Sequence, residues 1–175
     1  MRGETITEAR QLADLGRGPE EPPEPAVLDL VVGAAAPLLR SMAHAGQELV
    51  LALGAPGARV ALGRGSIERV LMNLVTNALD ASQPGDVIRI GTAAVRGTDC
   101  TYGVLRVSDQ GHGIDETTRP LIFEPYFTTR RDSGGCGLGL AIVHATVQRA
   151  GGFVDVESEP GRGTTFAVHL PVTAG

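Results

Sequence analysis

Three polar side chains in "ERVLMNLVTNALDA" point the same way if this stretch is a helix. At about 100° per residue, Asn77 lies about 40° to one side of Asn73 and Asp80 about 20° to the other. Ile67, Leu71, Leu74, Val75 and Ala78 fall on the opposite side and would face a core. Asparagine is a poor helix former, and lysine or glutamate would serve better on a merely wet face. Two carboxamide oxygens and a carboxylate suit a hard cation such as Mg²⁺, which takes a few protein oxygens and adds phosphate oxygens and water. A plain solvated helix face is the other reading of the same residues.

A second group stands in "VSDQGHGI". A strand delivers Asp109, whose carboxylate can accept a hydrogen bond from an exocyclic amine. Gly111 and Gly113 let a flat ring such as adenine lie against the backbone. An ordinary Asx-turn leaving the strand would use the same residues. The third group is "GGCGLGLAIV", residues 134–143, with four glycines ahead of an apolar run. Backbone N–H groups without side chains can approach an anion, and a helix start carries partial positive charge. A dinucleotide-binding turn would also use such glycines, and Asp155 and Glu157 follow about twenty residues on. That turn needs a strand feeding into the glycines, whereas "YFTTRRDSG" has no strand pattern. A lid closing over phosphates fits better, with Arg130 and Arg131 supplying positive charge.

These groups need elements to carry them. Helical spacing is expected over residues 4–15, followed by the Pro- and Glu-rich linker "GRGPEEPPEPA". Asp29 is placed to cap a helix over residues 30–45, with Pro37 inside it. "ELVLAL" and "ARVAL" read as two short strands across glycine and proline punctuation. Residues 66–82 form the clearest helix, and 86–95 and 102–109 read as strands. Residues 110–137 look like a long loop with a short helix near 115–120, and 138–150 form a helix ended by Gly151-Gly152. "FVDVES" and "TTFAVHL" pair across "EPGRG". The expected class is α+β, a two-layer sandwich with helices on one face of a mixed, mostly antiparallel sheet.

Bulk properties agree. At 175 residues and 42% hydrophobic, the chain can build a core and is not a disordered sequence. A net charge of −5 leaves no basic surplus for a nucleic-acid backbone. Cys100 and Cys136 have no metal-ligand spacing and suggest no disulfide framework, so a reducing, cytoplasmic setting is expected. The apolar runs are too short to span a bilayer, so this fragment is expected to make no membrane contact.

In order, the motifs resemble those of the catalytic, ATP-binding domain of sensor histidine kinases, within the GHKL ATPase superfamily. They are "NLVTNALDA" (73–81), "DQGHGI" (109–114), "IFEPYFTTR" (122–130), "GGCGLGLAIV" (134–143) and "GRGTTF" (161–166). Their order and spacing match over roughly residues 26–171. "FEPYFTT" and "GLGLAIV" point to the kinases rather than to gyrase-like, chaperone or mismatch-repair relatives.

The resemblance implies that Asn77, helped by Asn73, holds Mg²⁺ against the phosphates of ATP. Asp109 would read the adenine amine, with Gly111, Gly113 and Ile114 around the ring and Thr164 or Thr165 near the base. Gly135, Gly137 and Gly139, with Leu138 and Leu140 opening the helix, would meet the β- and γ-phosphates. Arg130 would act with Asn73 and Asn77 on the transferring group, and Arg131 would add charge. Phe123 and Phe127 would anchor the lid or serve as ordinary core. Asp80 stands where many members carry lysine or arginine, which sets it close to Mg²⁺ or toward solvent. Cys136 replaces the usual threonine or serine, and His112 fills a variable position.

Hydrolytic relatives activate water with a glutamate where this chain has Asn73, and an amide accepts no proton at neutral pH. Transfer to another nucleophile is therefore expected, by positioning and charge stabilisation. None of His44, His112, His144 and His169 lies in the acidic helical setting of a phospho-acceptor. The acceptor histidine is expected on a dimerisation domain outside this chain, with a response regulator downstream and a homodimeric full-length protein. The expected division is a dimerisation-helix tail (1–17), a linker (18–26) and the catalytic domain (27–175). A nucleotide-binding regulatory module and a hydrolytic GHKL ATPase remain the alternatives.

Overall fold

The computed structural model describes residues 24–128 and 137–173. The expected helix at 4–15 and most of the linker lie outside them. In chain order the elements are β1 (Ala26–Val27), α1 (Leu28–Met42), β2 (Glu48–Ala52), β3 (Arg59–Val60) and α2 (Arg64–Ala81). Then come β4 (Val87–Arg96), β5 (Thr101–Ser108), a 3₁₀ turn (Arg119–Leu121), α3 (Gly139–Arg149), β6 (Phe153–Glu159) and β7 (Gly163–Pro171).

The main sheet has the order β2-β4-β5-β7-β6. β2 runs parallel to β4, and the other neighbours are antiparallel. One parity of each central strand faces the helices. Ile88 and Ile90, Leu105 and Val107, and Phe166, Val168 and Leu170 are buried on that side. They meet Leu28, Val32 and Leu39 of α1, seven buried residues of α2 from Ile67 to Leu79, and Val143 and Val147 of α3. Each fully buried aliphatic side chain contributes about 1.5–3 kcal/mol. The opposite parity carries Arg106, Ser108, Asp155, Glu157 and Thr165. This is the α+β sandwich that the alternation and the helical stripe call for.

Three local expectations are corrected. Of the two strands read in "ELVLAL" and "ARVAL", the second is shorter than expected. β3 is two residues long and pairs with β1, while β2 joins the sheet beside β4. Backbone bonds from Leu28 N to Ala58 O (3.0 Å) and Ala26 N to Leu62 O (3.3 Å) hold the small sheet over the end of α1. Asp29 does not cap α1, whose N-cap is Val27 with no side-chain bond. Its carboxylate instead accepts from Thr92 Oγ1 (2.5 Å) and Ala55 N (3.2 Å). A part-buried hydroxyl and amide need an acceptor, whereas the first amide of α1 already has one in Ala58 O. Pro37 lies within α1 without ending it. The short helix near 115–120 is a 3₁₀ turn at 119–121. Ahead of it, Asp115 accepts from Thr117 Oγ1 (2.5 Å), Thr118 N (2.8 Å) and Thr118 Oγ1 (2.7 Å). These bonds hold its pKa down to about 2. Among the described residues, no helix is long and apolar enough to cross a membrane.

Candidate functional site

A cleft of about 570 Å³ opens between α2, the turn after β5 and the start of α3. It gathers Asn73, Asn77 and Asp80 from α2; Asp109, Gly113 and Ile114 from the turn; and Gly137 to Leu140 and Thr164. Residues 91 positions apart in sequence thus share one cavity.

The turn after β5 is clamped on both sides. On one side His112 N donates to Ala81 O at the end of α2 (3.3 Å), and a Cβ on Gly111 would lie 2.2 Å from that oxygen. On the other, Gly161 N donates to His112 O (2.8 Å) and Ile114 N to Ser158 Oγ (2.8 Å). Gly113 has φ +70°, and a Cβ there would lie 2.2 Å from Glu159 O. Only glycine meets both demands. Asp109 is thereby set relative to the asparagines of α2. The end of α2 is itself held by Gln47, whose amide donates to Leu79 O (2.9 Å) and Ser82 O (3.1 Å).

Asp109 is 8% exposed. Its Oδ1 accepts from Gly111 N (2.9 Å) and Thr164 N (3.2 Å). Burial pushes its pKa up, against those two N–H bonds and the nearby His112, which pull it down. A buried carboxylate with an oxygen still able to accept suits a ligand amine.

On α2, Asn73 Nδ2 donates to Arg69 O (3.0 Å), which leaves the carboxamide oxygen turned toward α3. A Cβ on Gly139 would lie 3.1 Å from Asn73 Oδ1, so the glycine admits the close approach. Gly137, at φ +66°, packs against the backbone of Tyr126 and Phe127, and Tyr126 N donates to Gly137 O (2.9 Å). Phe127 lines the cleft, while Phe123 stacks on His144 at 4.8 Å between ring centres. Among the described residues, no group of three or more His, Cys, Asp or Glu could hold a metal. A cation here would depend on carboxamide and phosphate oxygens, the donor set that Mg²⁺ accepts.

Of the residues expected at the site, Asn73, Asn77, Asp80, Asp109, Gly113, Ile114, Gly137, Leu138, Gly139, Leu140 and Thr164 line this cleft. Gly111 does not; it sits beneath, against α2. Thr165 does not either. Strand alternation puts it on the opposite sheet face, bonded to Ser108 Oγ (2.8 Å), and leaves Thr164 as the threonine in the cleft. Arg130, Arg131, Gly135 and Cys136 lie outside the described residues. Thr76, His112 and Phe166 also line the cleft. The sequence offered helical spacing for Thr76, strand parity for Phe166 and no signal for His112. Ser158 was also missed, because its role appears only once β6 and β7 pair.

The layered fold and this cleft define an ATP-binding domain of the GHKL type. The chain belongs to the histidine kinase-, DNA gyrase B- and HSP90-like ATPase family, which it matches over residues 64–174. Sensor kinase CckA of Brucella abortus is 38% identical over 118 residues, 61% of this chain and 12% of that protein. The alginate biosynthesis sensor protein KinB of Pseudomonas aeruginosa is 40% identical over 124 residues, 71% of this chain and 20% of that protein. The chain thus spans about a fifth or less of these two relatives. Among solved structures, the mycobacterial sensor histidine kinase MprB aligns with a TM-score of 0.72 at 26% identity, over 87% of this chain and 99% of that one. Full-length ShkA in complex with AMPPNP aligns with a TM-score of 0.76 at 28% identity, over 93% of this chain and 34% of that one. The chain is an ATP-binding catalytic domain of the kind found in two-component sensor kinases.

Proposed function

We propose that this domain binds Mg·ATP and transfers its γ-phosphoryl group to a histidine on a dimerisation domain of the same protein, for onward transfer to a response regulator. One observation carries the reading most: a buried carboxylate, Asp109, pinned by two backbone amides, faces the same cleft as two asparagines on one helix stripe and the glycine-rich start of α3.

Asp109 accepts the adenine amine, and Gly113 and Ile114 form the wall beside the ring. The first amides of α3 have no partner within the helix and are directed at the phosphates. At this helix start Gly137 admits the backbone of Tyr126 and Phe127, and Gly139 admits the Asn73 oxygen. Asn77 and Asn73 would hold Mg²⁺, which supplies positive charge to the phosphate oxygens. Asn73 stands where a water-activating base would be needed, so the site orients ATP without promoting attack by water. Arg130 and Arg131 are assigned to the phosphates by motif position. Binding in this form works by placement and charge stabilisation, the main sources of catalysis in phosphoryl transfer.

The test combines this chain with a helical dimerisation domain bearing a histidine, labelled ATP and Mg²⁺. Acid-labile label on that histidine is expected. Rapid phosphate release by the chain alone, with no label transferred, would overturn the reading in favour of hydrolysis.

A further inference from the structure

The hydroxyl of Ser158 is the hub of three contacts at the base-reading end of the cleft. Ile114 N donates to it (2.8 Å), Gly163 O lies 3.1 Å away and Thr164 Oγ1 2.9 Å away. A serine hydroxyl has one hydrogen and two acceptor lone pairs. Its hydrogen can serve Gly163 O or Thr164 Oγ1, but not both. All three contacts are satisfied together in one way only. Ser158 then donates to Gly163 O and accepts from both Ile114 N and the Thr164 hydroxyl. Thr164 is 6% exposed, lines the cleft and has its amide on Asp109 Oδ1. With its hydrogen committed to Ser158, its hydroxyl oxygen offers only lone pairs to the cleft. Beside it, Asp109 offers only lone pairs as well.

We propose that Ser158 is a specificity-determining residue: by taking the Thr164 hydrogen it makes this end of the cleft acceptor-only, favouring a purine with an exocyclic amine over one with a keto oxygen. The inference rests on the reading of Asp109 as the adenine contact. Ser158 touches no base itself and acts through Thr164, so it is a positioning residue. Removing its hydroxyl frees the Thr164 hydrogen to turn into the cleft, where it can meet a keto oxygen. The Ile114 amide also loses its partner, but that loosening weakens all nucleotides alike and cancels in a ratio.

The experiment measures ATP and ITP affinities of the 175-residue chain by calorimetry. The two bases differ at position 6, amine against keto oxygen, and at the neighbouring N1, which carries a hydrogen only in the keto base. The ratio is therefore read as the change from parent to variant and checked against the Thr164→Val background. The parent is expected to prefer ATP. In Ser158→Ala the preference falls about tenfold, the scale of one hydrogen-bond mismatch. Ser158→Thr, which keeps a hydroxyl, retains the parent's ratio. In a Thr164→Val background, Ser158→Ala changes the ratio no further. An unchanged ratio in Ser158→Ala overturns the inference and leaves the Asp109 reading standing. A parent that binds ATP and ITP equally overturns the Asp109 reading itself. Should the alanine variant fail to fold, Ser158→Cys is used, since a thiol is a weak donor and acceptor. Its ratio is expected between those of parent and full loss, and a parental ratio again counts against the inference.

Discussion

Asp109 and Thr164, 55 residues apart in the chain, meet through a 3.2 Å hydrogen bond from the Thr164 amide to the Asp109 carboxylate. A reciprocal bond runs from Asp109 N to Thr164 O (2.9 Å). The ends of β5 and β7 are thus locked at the point where the carboxylate enters the cleft. The proposed adenine contact would thus be built from two strands rather than one loop, which gives the Asp109 carboxylate a fixed direction.

Asp109→Asn should separate binding from stability. The amide oxygen still accepts the two backbone N–H groups, but the charge is gone. Bonds to charged groups are worth about 1.5–3 kcal/mol, so ATP affinity should fall roughly ten- to a hundredfold. The folded pKa of Asp109 is raised. Its contribution to stability is therefore present below the unfolded pKa and lost as pH rises through the folded one. At neutral pH the variant should melt no lower than the parent. In the parent, ATP binding should weaken on acidification at a pH above the ordinary aspartate range. Calorimetry across pH and thermal melts check both points. A variant that binds ATP as the parent does would remove Asp109 from the site.

Gly113→Ala should lose both binding and stability. The left-handed backbone costs a non-glycine residue about 1–3 kcal/mol, and the new Cβ would press on Glu159 O. A drop in melting temperature of several degrees is expected at about 2–4 °C per kcal/mol. Nucleotide binding should become undetectable at concentrations that saturate the parent. Unchanged melting would mean that the turn moves freely between α2 and β6.

Asn77→Ala should weaken Mg·ATP far more than metal-free ATP. Measured with Mg²⁺ and then with EDTA, the parent should show a large difference and the variant a difference at least about tenfold smaller. Equal metal dependence in both proteins would place the cation elsewhere.

His169 should shape stability in mild acid. Its ring stacks on Phe153 at 4.3 Å and lies 3.1 Å from Asp155. Burial lowers its pKa, with Arg106 acting the same way and Asp155 opposing. A depressed histidine pKa contributes stability above the unfolded value, about 6.5, which is lost as pH falls through the folded value. Urea melts of His169→Phe should therefore show a flatter decline below about pH 6.5 than the parent. Parallel curves for the two proteins would contradict this assignment.

Thr92→Val serves as a structural counterpart. It strips Asp29 of its 2.5 Å partner and Gly54 N of its acceptor. Leaving such groups unpaired costs about 1–3 kcal/mol, while ATP affinity should hold because the pair lies outside the cleft. Loss of affinity without loss of stability would show the opposite coupling.

The sequence by itself determined the layers and most of the cleft. Helical spacing set the asparagine stripe of α2, and strand alternation set the core faces. Two glycines after Asp109 marked a turn under tight steric demand. These signals are local, since they depend on side-chain directions within one element. Tertiary structure decided the rest. Asp29 reads locally as a helix cap, yet Thr92 and Ala55 claim its carboxylate from 63 and 26 residues away. "ARVAL" reads locally as a full strand, yet only Arg59–Val60 forms one, and its partner is the strand entering α1. Thr164 and Thr165 are indistinguishable as neighbours until the pairing of β5, β6 and β7 assigns one to each face of the sheet. Ser158 carries no mark of its own. A hydroxyl becomes informative only when three groups from distant segments converge on its single hydrogen and two lone pairs.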